Sequence, residues 1–230
     1  MHFFLIFLVG LSFSLTGTTL QSADINFLRA KAEGGNPDAQ LDLGLKYQDG
    51  QGVAKDEGEA IKWITKAAEQ GNPMAQLTLG ELYLYGRGTP KDETKSIGWL
   101  EKAAGYDTRP RWPWRSLAFA LLGNAYERGK GIQNPAKAIE WYRKAAMLND
   151  PRGQLPLAEM YSVGEGVAKD EIEGLAWVYV AADSGEPGTQ NNSGIKLEAA
   201  SLEEKVGEKG ISLARKRSKE LALEISDSMK

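Results

Sequence analysis

The densest supply of binding chemistry lies between residues 109 and 115, where Arg109-Pro110-Arg111-Trp112-Pro113-Trp114-Arg115 sets two tryptophans among three arginines. Trp and Arg are the types most enriched at binding hot spots, and prolines stiffen a segment so that it loses little entropy on docking. The pattern points to recognition, with a protein or peptide as the first class of partner. Two other uses fit the same residues. The tryptophans could fold back over a gap in the core, or they could stack on sugar while an Asp or Glu grips or hydrolyses it.

Catalytic chemistry is poorly served. The sole histidine is His2 and cysteine is absent, so Ser-His-Asp and Cys-His nucleophile sets and the usual zinc and copper ligands have no source beyond residue 2. Ser193 and Lys196 have the Ser-x-x-Lys spacing of penicillin-recognising enzymes, yet neither Ser-Asp-Asn nor Lys-Thr-Gly accompanies them. Gly50-x-Gly52 and its copies lack the preceding strand and the third glycine of a phosphate loop. Asp56, Glu57 and Glu59, like Asp170, Glu171 and Glu173, gather where carboxylates cap helices and answer the helix dipole. Arg215-Lys216-Arg217 with Lys219 is interleaved with Glu208 and Glu220, which reads as a solvated helix face. The expectation is a chain without catalytic residues, cofactor or metal, and not an enzyme. A net charge of −3 offers no footprint for nucleic acid either.

What positions the 109–115 segment is a repeat. Shifting the chain by 36 residues carries Ala39, Leu43, Gly44, Tyr47, Gly50, Gly52, Asp56, Ile61, Trp63, Lys66, Ala67 and Ala68 onto Ala75, Leu79, Gly80, Tyr83, Gly86, Gly88, Asp92, Ile97, Trp99, Lys102, Ala103 and Ala104. A fixed period of this size marks a stacked array. Within each copy, Asn36-Pro37 opens a first helix with a capping side chain and a proline at the first helical position. Ala39, Leu43 and Tyr47 then recur at helical spacing. The glycines end that helix, Asp56 caps a second, and Trp63, Ala67 and Ala68 line one side of it, which places the repeated Trp63, Trp99, Trp141 and Trp177 in an inter-helix core. Gly44, Gly80 and Gly123, costly in helix interiors, imply a neighbouring helix too close for a side chain.

The third copy stands 43 and not 36 residues after the second, so Thr108 to Trp114 is a seven-residue insertion. The fourth carries Ala158 in place of the packing glycine, and Pro156 inside its first helix predicts a kink or a late start. Ahead of the array, residues 3–15 form an uncharged apolar run trailed by small residues, the shape of a secretory signal peptide. The predicted organisation is a signal peptide over 1–23 cleaved near Ala23; a half repeat at 25–35; repeats at 36–71, 72–114, 115–149 and 150–187; and a loop with capping helices over 188–230. A periplasmic or secreted, bacterial location follows, with no stable membrane insertion once the leader is removed.

The pattern A-x-x-x-L-G-x-x-Y-x-x-G-x-G-V-x-x-D followed by A-I-x-W-x-x-K-A-A-x-x-G resembles the Sel-one-like repeat (SLR), a branch of the tetratricopeptide-like solenoids. The resemblance implies an all-α fold, a right-handed α-solenoid of antiparallel helix pairs with about four repeats and helical caps. It also implies protein binding; some bacterial members are exported and act in envelope assembly, virulence or signalling regulation. A cysteine-rich subgroup is linked to β-lactam chemistry, which a cysteine-free chain does not inherit. The expected function is an exported adaptor that holds a protein or peptide in a concave groove. Its candidate contacts are Arg109, Arg111, Trp112, Trp114 and Arg115 in the insertion and Asp42, Lys46, Glu81 and Asn124 on first helices, with an envelope carbohydrate-binding or hydrolytic protein as the alternative.

Overall fold

The computed structural model describes residues 24–105, 114–184 and 193–229. The leader, and Arg109, Arg111 and Trp112 of the insertion, lie outside them. All secondary structure among the described residues is helical: α1 (24–33), α2 (Pro37–Asp49), α3 (Glu57–Glu69), α4 (Pro73–Tyr85), α5 (Glu93–Ala104), α6 (Arg115–Arg128), α7 (Pro135–Ala146), α8 (Pro151–Val163), α9 (Glu171–Asp183) and α10 (Ser193–Ser228). The chain is an α-solenoid of about four helix pairs. Its described residues form two compact bodies that divide after Asp92.

In the first body, the side chains of Asn36, Asp56 and Asn72 accept the backbone N–H groups of Ala39, Glu59 and Ala75, which satisfies donors that a helix start otherwise leaves orphaned. Ala32, Ala39, Leu43 and Trp63 pack into one cluster, with Leu28 and Tyr47 against it. The first helix ends at Gly50 with φ 70°, and Gly52 also has a positive φ of 75°. This turn brings the Asp56 N–H within 2.9 Å of the Tyr47 carbonyl. The same closure joins Asp92 to Tyr83 (2.9 Å), Asn134 to Tyr126 (2.7 Å) and Asp170 to Tyr161 (2.8 Å). One feature differs: the third turn is a residue shorter, and Gly129 is extended with φ −69°.

Two kinds of hydrogen bond recur between a copy and the one before it. The buried amide of Gln40 donates to the Ala32 carbonyl (2.9 Å), Gln76 to Ala68 (3.1 Å) and Gln154 to Ala146 (3.4 Å). These carbonyls lie at the ends of second helices, where each accepts a backbone N–H of the following turn, from Gly35, Gly71 or Asn149, and the glutamine adds a second donor. The repeated tyrosine supplies the other link: Arg29 donates to the Tyr47 hydroxyl (3.1 Å), Arg143 to that of Tyr161, and the Tyr126 hydroxyl donates to Glu101 (3.4 Å).

The second body is built on α5 to α10. Its core joins Ala138, Tyr142, Leu157, Trp177 and Val178 to Ile195, Leu202, Ala214, Leu221 and Ile225 of α10. Helix α10 covers α9, and its two arms meet at Gly207, whose φ 66°, ψ −179° is open essentially to glycine alone. Two expectations are corrected. Helix α8 starts at Pro151 and runs through Pro156, held at its start by the Asp150 cap and along its length by buried Gln154, Leu157 and Ala158. Of the repeated tryptophans, Trp63 and Trp177 are buried, while Trp99 and Trp141 are only partly so. Each of these two lies beneath a lysine three residues on, Lys102 at 4.0 Å and Lys144 at 3.7 Å from the ring centre.

The packing glycine has a visible cause. A Cβ on Gly44 would stand 2.6 Å from Ile64 and 3.0 Å from the Ala60 carbonyl. Gly98, in the middle of α5, has nothing within 4 Å. Identical substitutions should therefore have opposite signs. Gly44→Ala should destabilise by about 1–3 kcal/mol through overpacking, whereas Gly98→Ala should stabilise by up to about 1 kcal/mol through helix propensity. Urea unfolding monitored by circular dichroism checks both, and equal effects would refute the close-approach account.

Candidate binding cleft

The third repeat breaks the pattern at two adjacent points. Arg115 occupies the register position of the capping asparagines Asn36 and Asn72, so α6 begins after Trp114 with no side chain capping it. Four positions on, Phe119 stands where Gln40, Gln76 and Gln154 make their links to the preceding helix. Trp114 offers the first N–H groups of the helix no side-chain acceptor, and an arginine at this register position opposes the dipole instead of answering it.

These two substitutions sit on a cleft of about 1010 Å³ between the end of α5, the start of α6 and α7, closed at one side by Ser228 of α10. Phe119 and Trp141 form its aromatic wall, with ring centroids 5.6 Å apart. Lys144 lies 3.7 Å above Trp141 and the Arg115 guanidinium 5.4 Å from the Phe119 ring, so both rings already stack on cations. Ile139, Met147 and Leu148 add apolar lining. The Nε of Arg115 is buried and has no hydrogen-bond partner. A buried donor left unmade costs about 1–3 kcal/mol.

Next to Arg115, Ser116 reaches the cap of α8. Asp150 is 5% exposed; its carboxylate caps α8 through the Arg152 N–H (2.9 Å) and pairs with the Arg152 guanidinium (2.7 Å). Burial opposes that charge, but hydrogen bonds from Arg152 and from Ser116, next to Arg115, outweigh it and hold the carboxyl below its ordinary range. Beside the cleft, burial and Glu127 push the Tyr142 phenol well above its usual range. Among the described residues no group of acidic or histidine side chains could hold a metal ion.

The family model described as Sel1 repeat matches residues 37–72, 73–104, 117–150 and 151–186. The chain belongs to the Sel1 repeat family. It is similar to the crystal structure of a Sel1 repeat protein from Oxalobacter formigenes, at 32% identity and TM-score 0.64 over 72% of this chain and 65% of that one. A second similar structure, a protective antigen present in uropathogenic Escherichia coli strains and displaying an SLR fold, gives 26% identity and TM-score 0.47 over 89% of this chain and 50% of that one. The chain thus spans less than two thirds of either protein's length. No curated protein matches it. Sel1 repeats generally mediate protein–protein interaction, and members of the family typically act as scaffolds, not catalysts.

Of the residues singled out from the Sel1 repeat pattern, Trp114 (44% exposed) and Arg115 are at the cleft end of α6. Asn124, further along α6, faces the Tyr142 hydroxyl. Asp42 is exposed and Lys46 partly buried on α2, and Glu81 on α4 pairs with Arg87 at 3.3 Å. These three belong to the first body and do not join the cleft. Sequence reasoning missed Phe119, Trp141, Arg143 and Lys144. The available signal was the loss of glutamine at position 119, the one copy in which the pair Ala39-Gln40, Ala75-Gln76 or Gly153-Gln154 becomes Ala118-Phe119.

The depressed Asp150 carboxyl sets an acid dependence. A group with a lowered folded-state pKa contributes stability that is complete above the unfolded value, about 3.9, and is lost as pH falls through the folded value. Wild type should therefore lose more stability than Asp150→Asn on acidification from about pH 5 to pH 2, read as thermal midpoints at each pH. Parallel loss in both would remove Asp150 from the account.

Proposed function

We propose that this Sel1 repeat protein is an exported, non-enzymatic adaptor whose cleft in the second body takes a peptide segment of a partner protein, one that presents a carboxylate beside an apolar side chain. The observation that carries the reading is Arg115: its buried Nε is unpartnered at an uncapped helix start, directly against the Phe119–Trp141 wall. An acidic group would answer both the guanidinium and the positive end of the α6 dipole, while an apolar neighbour would occupy the space lined by Ile139 and Met147. Trp114 and the rest of the 108–115 insertion border this entrance in sequence, which is why they belong to the proposed contact. Export rests on the apolar run at 3–15 and places the protein in a bacterial periplasm or outside the cell. No helix among the described residues is long and apolar enough to cross a membrane.

The test is capture from a bacterial envelope extract. Arg115→Glu/Lys144→Glu should reduce partner capture at least about tenfold, since like-charge contact across an interface costs several kcal/mol, while helicity stays unchanged. Trp112→Ala/Trp114→Ala should weaken it further if the insertion contributes. Undiminished capture by the charge-reversed protein would overturn the cleft assignment. Binding of soluble peptidoglycan fragments that ignores the reversal would favour the carbohydrate alternative. For export, the mature N-terminus should begin near Asp24; an intact Met1 on a cytosolic protein would refute it.

A further inference from the structure

Helix α10 covers α9 with one side and leaves the other open. Beyond Gly207 its buried positions are Gly210, Ala214, Leu221 and Ile225. Lys209, Leu213, Lys216, Glu220, Leu223 and Asp227 are all exposed, with Leu213 and Leu223 among the most exposed large apolar side chains at 46% and 68%. At about 100° per residue these six fall in one stripe about 80° wide. Their spacing alternates four and three residues, which is the spacing of a heptad seam.

The stripe is palindromic in charge. Leu213 and Leu223, Lys216 and Glu220, and Lys209 and Asp227 are each placed symmetrically about position 218. A two-fold axis through that point maps every member onto a complementary one: leucine meets leucine, and each lysine meets a carboxylate. A parallel pairing would instead set Lys216 on Lys216 and Glu220 on Glu220. Arg217, on the flank, is already engaged by Glu173 (3.0 Å) and Glu224 (2.9 Å) and stands 3.5 Å from Glu220 of the stripe, an exposed i,i+3 pair, so it brings no uncompensated charge to the seam. Reciprocal matching of this kind is what an isologous dimer interface requires.

We infer that the exposed face of α10 docks a second copy of this chain, antiparallel, about a two-fold axis at residue 218. The apolar content is two leucines per copy about 15 Å apart along the helix, and polar seam positions select register at a cost in affinity. The association is therefore weak and concentration-dependent, in the class of small interfaces.

Sedimentation velocity on the full chain, over a concentration series reaching the millimolar range, should show a monomer–dimer equilibrium. Lys216→Glu should weaken it at least about tenfold. Lys216→Glu/Glu220→Lys should restore it to near the wild-type constant, because the interchange leaves every cross-pair complementary. Since the chain has no cysteine, Leu213→Cys/Leu223→Cys should yield a disulfide-linked dimer on mild oxidation at a concentration where Leu213→Cys alone does not. A monomer throughout the series, or a double charge variant that stays as weak as the single one with unchanged helicity, would overturn the inference.

Discussion

Everything else in this solenoid depends on how closely the two helices of a pair can approach. In α2/α3 the contact is made by Gly44 against Ala60, with Ile64 one turn on. In α6/α7 it is Gly123, and the residue one turn on is Tyr142, whose ring atoms would stand 2.5–2.8 Å from an added Cβ. In α8/α9 the small residue has changed sides. Ala158 takes the glycine position of the first helix, and Gly174 takes that of Ala60 and Ala138 in the second, lying so near that a Cβ would meet the Ala158 carbonyl at 2.9 Å. The combined bulk of the crossing is held while its assignment to a helix is free. A tight interior fixes volume more strictly than residue identity.

With the pair spacing fixed, the ends of the second helices come to lie at one height against the next first helix. That alignment lets a single buried glutamine amide reach the carbonyl of Ala32, Ala68 or Ala146. The link satisfies a group that burial would otherwise penalise. It also explains the consequence of losing it. Phe119 cannot donate, and its ring turns instead to Trp141 of its own repeat. Helix α6 reaches back to α5 through the Tyr126–Glu101 bond, and the space beside Ala104 and Gly105 opens as the cleft. The inserted residues lie just ahead of this junction in the chain, so the repeat is interrupted in sequence at the place where the cavity lies.

The architecture was legible because its causes repeat. Each cap, turn and packing glycine appears several times at one spacing, and a fixed shift exposes them together. What a single repeat alters was less legible. Pro156 read as a helix breaker from local geometry alone; the packing of Leu157 and Ala158 outweighs one missing hydrogen bond. The tryptophans read as uniform core because their register is uniform, yet Trp177 is covered by its surroundings and Trp141 is left at a cleft wall under Lys144. The W-x-x-K spacing was visible in the first three copies, where Lys66, Lys102 and Lys144 each lie over the indole three residues back, but which indole face is open could not be read from it. Asn124 and Glu81 stood out as unpatterned, and the structure engages both with neighbours in their own bodies.

The cleft and the open stripe of α10 are parts of one mechanical element. Ser228, on the cleft rim, donates from its hydroxyl to the Met147 carbonyl at 2.9 Å, and Met147 lines the same cavity. One turn earlier, Ile225 anchors α10 in the core between Leu223 and Asp227, two members of the exposed stripe. The last turn of α10 is thus bonded to one residue of the cleft lining. The buried Nε of Arg115 is a cost already present in the unliganded fold, of the size that a single charge-assisted hydrogen bond recovers. Among the described residues one other buried side-chain atom lacks a partner, the Gln154 Oε1 at the next junction, but that residue keeps its amide bonds to Ala146 and Asn149.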